Sequence, residues 1–235
     1  YGSLVLLPIM LQTLFGYPPM LAGIAMAPRG IGSFVMMPLT GLMTGMFDPR
    51  KLLSIGFLIG GITLLWLSRL SLQAGYWDIF WPQLIQGAAL SLLFVPLTTA
   101  AMAAIPREKM GNATSLFNLM RNIGGSIGIA VTGTMLVRQQ QAVTSQLGSH
   151  VTAYDPATQA MFAQIRGGFI AGGADPVTAT NRTYAALFGT VWRQASMVSF
   201  VTIFQILGLL FLALIPLVLI MKRPAHQGPP PEAAH

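Results

Sequence analysis

The residues of this sequence best suited to chemistry are polar groups inside segments that are otherwise apolar. The clearest set lies in the fifth apolar segment, at about residues 113–137, where polar side chains recur at spacings of three and four. Such spacing places side chains on one face of a helix. Polar groups in hydrocarbon are costly unless they face protein or water. The set comprises Ser115, Asn118, Asn122 and Ser126, and beside it runs a stripe of Arg121, Gly125, Gly128 and Thr132.

Two interpretations of this polar helix stay open. In the first, the helix lines a polar cavity. In the second, its polar groups hold helices together, Arg121 extends to the cytoplasmic headgroups, and Gly124 and Gly128 let another helix backbone approach closely. We favour the cavity, because an ionisable side chain inside a membrane generally has a functional role.

A second charge, Arg29, follows Pro28 near the middle of the second apolar segment. A charge at that depth costs at least about 2.5–3.5 kcal/mol on insertion scales. The sequence offers no membrane carboxylate as a partner, because all six acidic residues lie in loops, at segment ends or in the tail. Arg29 is therefore either an anion-attracting or coupling residue or a structural hydrogen-bond donor to a kinked backbone.

Three glutamines are further candidates for the same cavity. Gln12 lies in the first apolar segment, and Gln83 and Gln86 lie in the fourth, where a spacing of three places them on one helix face. The favoured alternative is hydrogen bonding between helices, worth about 0.6 kcal/mol for each bond.

The sequence carries no recognisable catalytic or metal-binding motif. It has no cysteine, and its three histidines, His150, His226 and His235, are scattered. Thiolate sites are therefore excluded, and metal-ligand spacing is missing. We also find no nucleophile elbow, phosphate-binding glycine loop or paired carboxylates. The sequence predicts neither an enzyme nor a cofactor.

The amino-acid composition indicates the environment in which these polar groups lie. Only 8% of the 235 residues are charged, against about 25% in soluble domains, while 54% are hydrophobic and the mean hydropathy is +0.66. These values predict an all-α integral membrane protein. The net charge of +7 is spread over segment boundaries without a long basic run, which argues against nucleic acid as a partner.

A bilayer core requires roughly 20 apolar residues in each helix, and six segments reach or approach that length: 1–16, 19–46, 51–70, 81–105, 113–137 and 194–221. Residues 1–137 would form the first five transmembrane helices and 194–221 the last. The polar insert at 138–193 would contain two short amphipathic helices, starting at Asp155-Pro156 and Asp175-Pro176, the second running into the last span. Residues 222–235 would form a disordered cytoplasmic tail.

Basic residues suggest the orientation of the chain. Six lie in two short loops and at a helix end on one side, which the positive-inside rule assigns to the cytoplasm. The insert would then face the periplasm. The six residues are Arg50, Lys51, Arg107, Lys109, Lys222 and Arg223.

Long stretches of this sequence resemble a known transporter family. These are SLVLLPIMLQTLFGYPPMLAGIAMAPRGIGSFVMMPLTG, WPQLIQGAALSLLFVPLTTAAMAAIPREKMGNATSLFNLMRNIGGSIGIAV and, in the insert, DPATQAMFAQI. In order and spacing they are similar to the C-terminal half of fourteen-helix drug:proton antiporters of the EmrB/QacA type, in the major facilitator superfamily. The chain would then be the back half of a longer protein and lack its N-terminal transmembrane half.

The resemblance implies a fold and an activity. The fold has two six-helix bundles with a substrate path between them, and this chain supplies the second bundle. The activity is export of hydrophobic or amphipathic drugs across the bacterial inner membrane, driven by the proton gradient. EmrB-like members also work with a periplasmic adaptor and an outer-membrane channel, and we take the insert as a hypothetical adaptor contact.

The sequence departs from the superfamily in the loop between its second and third spans. In GLMTGMFDPRK, Gly41 fits the loop signature, but Gly45 stands where an acid is expected and Asp48 where a glycine is expected. Only Asp48, Arg50 and Lys51 could make a degenerate gating contact. The family's proton-coupling carboxylates belong to the first half, so coupling residues are not assigned in this chain.

We therefore expect half of a secondary transporter that works by alternating access. The alternative is a non-transporting membrane scaffold or receptor whose polar groups are structural. A membrane-embedded enzyme is the least favoured hypothesis, because an acid/base set is missing.

Overall fold

A computed structural model describes residues 1–102, 105–152 and 154–220, and all regular structure within these ranges is helical. The predicted all-α fold is confirmed. A 3₁₀ turn at Arg107–Lys109 precedes the fifth of seven α-helices, and the predicted tail at 222–235 lies outside the described residues. The helices are α1 (Gly2–Thr13), α2 (Pro19–Met46), α3 (Pro49–Leu67), α4 (Tyr76–Met102), α5 (Met110–His150), α6 (Pro156–Ala171) and α7 (Pro176–Ile220).

Four of these helices, α2, α3, α4 and α7, are long and apolar enough to cross a membrane. They correspond to four of the six predicted spans. α1 is apolar but has only 12 residues. α5 is long enough, but its amides, hydroxyls and Arg121 lower its hydropathy. Membrane crossing by α1 and α5 therefore stays a prediction.

Two helices are much longer than a bilayer is thick. α5 has 41 residues and α7 has 45. At a rise of 1.5 Å per residue they span about 60 Å and 67 Å, roughly twice the hydrocarbon core. Residues 138–147 contain neither proline nor glycine, and α5 continues beyond residue 137, the expected end of the apolar span, as far as His150. The insert is therefore largely built from unbroken extensions of membrane helices.

The helices of the insert begin where the sequence places Asp-Pro pairs. The Asp155 carboxylate accepts hydrogen bonds from the backbone N–H of Thr158 at 3.0 Å and from its hydroxyl at 2.8 Å. The Asp175 carboxylate accepts from the N–H of Thr178 at 3.0 Å. These bonds satisfy N–H groups that a helix start leaves free. The predicted starts of both helices are confirmed, and the second continues into the last span.

Glycines allow two pairs of helices to cross at backbone contact. In the α2–α4 pair, a Cβ at Gly32 would collide with the carbonyl of Leu84, and one at Gly87 with the carbonyl of Arg29. In the α3–α7 pair, a Cβ at Gly208 would lie 3.1 Å from the carbonyl oxygen of Gly61. Small residues favour such close packing in membranes, where apolar side chains gain nothing by leaving lipid.

The short helix α1 is nevertheless central to the packing. One face of it is buried, α1 contacts α2, α5 and α7, and its buried side chains belong to the main apolar core of the bundle. It contains Leu6, Leu7, Met10 and Leu11 of α1, Leu64 and Leu67 of α3, and Phe200, Ile203 and Phe204 of α7.

Candidate functional site: a polar cavity inside the bundle

A cavity of about 190 Å³ lies inside the bundle, between α1 and the facing sides of α2, α3, α4, α5 and α7. Most of its wall is apolar or glycine. Besides Tyr1, which precedes α1, its polar side chains come from four different helices. They are Ser3 of α1, Arg29 of α2, Gln86 of α4 and Thr132 of α5.

The close α2–α4 crossing holds Arg29 at this cavity. The Ser33 hydroxyl donates to the carbonyl of Gly87 at 3.0 Å, and the Ser91 hydroxyl donates to the carbonyl of Ser33 at 2.9 Å. Both bonds join α2 to α4 within about a turn of Arg29. The α2 backbone that carries Arg29 is therefore held against α4 by two hydrogen bonds.

Arg29 is buried, with 6% of its surface exposed, and two of its nitrogens lack a partner. Its Nε and Nη1 atoms are inaccessible to solvent and have no acceptor among the described residues. A buried cation without full hydrogen bonding is strongly unfavourable. Arg29 lines the cavity, but an acceptor that enters it would reach Nε and Nη1 only after the side chain rearranges.

The two glutamines of α4 form a short chain of hydrogen bonds that ends at the polar cavity. Gln83 is fully buried, and its Nε2 donates to Oε1 of Gln86 at 3.3 Å. The Nε2 of Gln86 donates in turn to the hydroxyl of Ser3 at 3.4 Å, which links α4 to α1. Oε1 of Gln83 has no donor among the described residues. The first of these long bonds lies within α4 and the second joins α4 to α1, so that Gln86 lines the cavity and Gln83 supports it from behind.

The polar face of α5 does not line this cavity. Its predicted residues are exposed on the surface of the described chain, whereas Gly124, Gly128 and Thr132 face inward. The guanidinium of Arg121 lies 6.0 Å from the ring centroid of Phe94, at the outer limit of a cation–π contact. The exposed residues of this α5 stripe are Ser115, Asn118, Arg121, Asn122 and Ser126.

The remaining predicted residues also lie apart from the cavity. Gln12 is exposed near the end of α1. In the predicted gating loop, Asp48 precedes the first turn of α3, and its carbonyl accepts from the N–H of Lys51 at 2.9 Å. Lys51 is exposed, while Nε and Nη2 of Arg50 are buried without an acceptor among the described residues. The structure thus brings together Arg29, Gln83 and Gln86, and leaves the other candidates elsewhere.

Sequence reasoning missed two of the residues that line the cavity, Ser3 and Thr132. A single serine near the start of an apolar segment gives no periodic signal. Thr132 belonged to the stripe beside the polar face, and the signal that could have found it is its spacing of four from Gly128. Among the described residues, no group of three or more metal-ligating side chains lies together.

A bundle of membrane-crossing helices around a small polar cavity defines an integral membrane protein of the transporter type. A family model for the Major Facilitator Superfamily matches residues 1–136. This chain belongs to the major facilitator superfamily, whose members are transporters and not enzymes. It is a multi-pass protein of a bacterial inner membrane.

Several curated proteins are similar to this chain. The "Multidrug export protein EmrB" of Haemophilus influenzae is 35% identical over 165 residues, which cover 70% of this chain and 32% of that protein. The protein of the same name in Escherichia coli K12 is 35% identical over 169 residues, or 71% of this chain and 33% of that protein. The resemblance to EmrB-type transporters is confirmed.

A third relative also aligns with the insert. The "Fatty acid resistance protein FarB" of Neisseria gonorrhoeae is 30% identical over 227 residues, which cover 97% of this chain and 43% of that protein. The chain thus spans less than half the length of each of these three relatives.

Proposed function

We propose that this chain is the second transmembrane half of a proton-coupled exporter of hydrophobic or amphipathic drugs. The observation that carries the proposal is the cavity inside the bundle, which is lined by Arg29, a buried cation with two unpaired nitrogens, and by Gln86. The names of the similar proteins, which refer to multidrug export and fatty acid resistance, support the substrate class.

The α5 stripe supports a substrate path at the surface of the bundle. Asn118 and Asn122 are exposed on a helix proposed to cross the membrane, and polar side chains avoid direct contact with lipid. We therefore assign this face to the boundary with the N-terminal half, where water and substrate would pass. Alternating access would come from rocking of the two halves about that boundary.

Proton flux in proteoliposomes that contain the full-length protein tests this function. Addition of an amphipathic drug should drive proton movement that empty liposomes do not show. Asn118→Ala and Arg121→Ala should lower the flux about tenfold, which corresponds to about 1.4 kcal/mol, without preventing membrane insertion. Asn181→Ala, an exposed asparagine on the outer part of α7, is the matched control.

The scaffold hypothesis predicts the opposite result. The bonds of Ser33, Ser91 and Gln86 to other helices favour it, because each has a structural role. A reconstituted full-length protein that binds drugs but moves no protons under any gradient would rule out antiport.

The insert is the proposed contact for a periplasmic adaptor that leads to an outer-membrane channel. Tyr154, just before α6, is 91% exposed, and Val177, in the first turn of α7, is 70% exposed. Such apolar groups on an extramembrane unit suit a protein contact. Tyr154→Lys and Val177→Lys should abolish co-purification of the adaptor while proton flux persists in liposomes. Retained co-purification would exclude this surface.

A further inference from the structure

A second and larger cavity lies in the insert, far along the chain from the polar cavity. It has a volume of about 510 Å³, within the range of small-molecule sites. The end of α5, the first half of α6 and the outer part of α7 enclose it. We call it the outer pocket, and its main lining residues are Gly148, Phe162, Tyr184, Leu187, Phe188 and Val191.

The wall of the outer pocket is aromatic and aliphatic. The rings of Phe162 and Tyr184 lie 5.0 Å apart between centroids and join α6 to α7. Phe188 is 63% exposed. Large apolar side chains open to water on an extramembrane unit favour a ligand that removes them from water.

The charges around the outer pocket favour an anionic ligand. The insert has four arginines and two aspartates, and both aspartates already accept hydrogen bonds at helix starts. Arg166 lies one turn after Phe162 on the same face of α6. Its Nε is buried without an acceptor among the described residues. Arg166 does not itself line the outer pocket, but its place one turn from Phe162 suits a ligand whose apolar tail lies in the pocket and whose anionic head extends beyond it.

We propose that the outer pocket binds a free amphipathic molecule with an apolar chain and one carboxylate, of the size of dodecanoate. The chain would lie against Phe162, Phe188 and Val191, and the carboxylate would accept from Arg166. The inference rests on the proposed export function, since the pocket would hold substrate on the outer side of the membrane.

Photolabelling of the full-length protein in phosphatidylcholine nanodiscs tests this site. The probe is dodecanoate with a diazirine at the end of its chain, and labelled peptides are mapped by mass spectrometry. Label should appear on α6 and on the outer part of α7. Excess dodecanoate should remove it, whereas dodecyltrimethylammonium, with the same chain and a cationic head, should not.

A pocket-filling variant provides the sharpest control. Gly148 lines the outer pocket, and a Cβ there meets no atom within 4 Å, so Gly148→Leu should fill the space without displacing its neighbours. We expect labelling to fall about tenfold, as for a lost apolar contact. Gly167→Leu is the matched control, because Gly167 is equally open but does not line the pocket.

Two further variants test the contacts of the apolar tail and of the anionic head of the ligand separately. Phe162→Ala should weaken labelling even if Gly148→Leu fails to fold, and the exposed Met161→Ala should not. Arg166→Gln should raise the concentration of dodecanoate needed for competition about tenfold. Arg182→Gln removes an exposed charge from the same insert and should change nothing.

Each contrary result overturns the inference. These results are label outside the insert, equal labelling of Gly148→Leu and Gly167→Leu, or equal competition by the cationic amphiphile. Loss of label in phosphatidylglycerol nanodiscs would assign the pocket to membrane lipid instead. Substrate-driven proton flux is measured in parallel, so that failure of the outer-pocket site can be distinguished from failure of the export function. Flux without labelling would contradict only the proposed ligand site in the outer pocket. Absence of flux in the wild-type protein would contradict the proposed export function.

Discussion

Arg29 is the residue on which the alternative functions differ most clearly. It is buried beside a small cavity, and two of its nitrogens have no acceptor among the described residues. A structural arginine would be fully bonded to neighbouring backbone, because an unsatisfied buried charge destabilises the fold. The unsatisfied state therefore favours a role in which Arg29 meets an incoming acceptor.

Arg29→Met separates these roles. Replacement of a buried charge by an apolar side chain of similar length is often neutral or stabilising by about 1–4 kcal/mol. We expect the melting temperature of the full-length protein to be unchanged or raised, while drug-driven proton flux falls at least about tenfold. A lower melting temperature with normal flux would instead make Arg29 a structural residue.

Asp155 gives a pH-dependent prediction outside the membrane. The hydrogen bond from the Thr158 side chain, followed by that from its backbone, lowers the pKa of Asp155 from its ordinary value of 3.8. Because the folded pKa is depressed, this stabilisation is present above pH 3.8 and is lost as the pH falls through the lowered value. Asp175 has the same direction of shift, with Thr178 as the main donor.

Hydrogen exchange of the first turn of α6 measures the contribution of Asp155. At pH 7, Asp155→Ala should reduce the protection of the Thr158 amide relative to the wild type. The difference should disappear once the pH is below the lowered pKa, because the wild-type carboxyl is then also protonated. A difference that persists unchanged at that pH would mean that the cap does not depend on charge.

At the scale of elements, the crossing of α2 and α4 determines whether the cavity exists. Gly32 and Gly87 let the two backbones touch, and the hydroxyl bonds of Ser33 and Ser91 fix the pair there. A side chain at either glycine would meet backbone, which has no rotamer to relieve the collision. The crossing therefore depends on the absence of two Cβ atoms.

Gly87→Leu should consequently separate α2 from α4. Overpacking alone costs about 1–3 kcal/mol, and loss of the serine bonds adds to that cost. We expect a lower melting temperature and little folded protein in detergent. Gly41→Leu is the control, because a Cβ at Gly41 of α2 meets nothing within 4 Å; an equal loss of stability in both variants would contradict the crossing.

Sequence periodicity predicted the helices and the residues that share a face, but not the direction of that face. On α5 it grouped Asn118 with Asn122 correctly, because spacing alone fixes that grouping. Which side of α5 packs against the bundle depends on how closely its residues fit the neighbouring helices. Gly125 and Thr132 are buried there, whereas the asparagine side chains are exposed. The continuation of α5 to His150 was not predicted, because the polar run that starts at Arg138 marks the end of an apolar segment and not the end of a helix.

At the scale of the whole molecule, the exposed α5 stripe is the proposed boundary with an N-terminal half. In the complete transporter, its amide face should border a water-containing path, while the opposite face meets lipid or protein. Because this chain has no cysteine, single cysteines can report the environment of each face.

Thiol labelling in intact cells tests that arrangement. In an otherwise cysteine-free full-length protein, Asn118→Cys and Asn122→Cys should react with a membrane-impermeant maleimide, and an added substrate should slow the reaction. Ile127→Cys, on the opposite side of α5, should react little. Equal reactivity at Asn122 and Ile127 would show that α5 has no preferred wet face.

The unbroken course of α7 has a mechanical consequence. Proline interrupts this 45-residue helix only at Pro216, so a single stiff rod connects the membrane bundle to the wall of the outer pocket. A rod of this kind acts as a lever, and a small tilt of its membrane part produces a larger displacement at its far end. Any rocking of the bundle would therefore be transmitted directly to the insert, because α7 has no break between the two at which the motion could be absorbed.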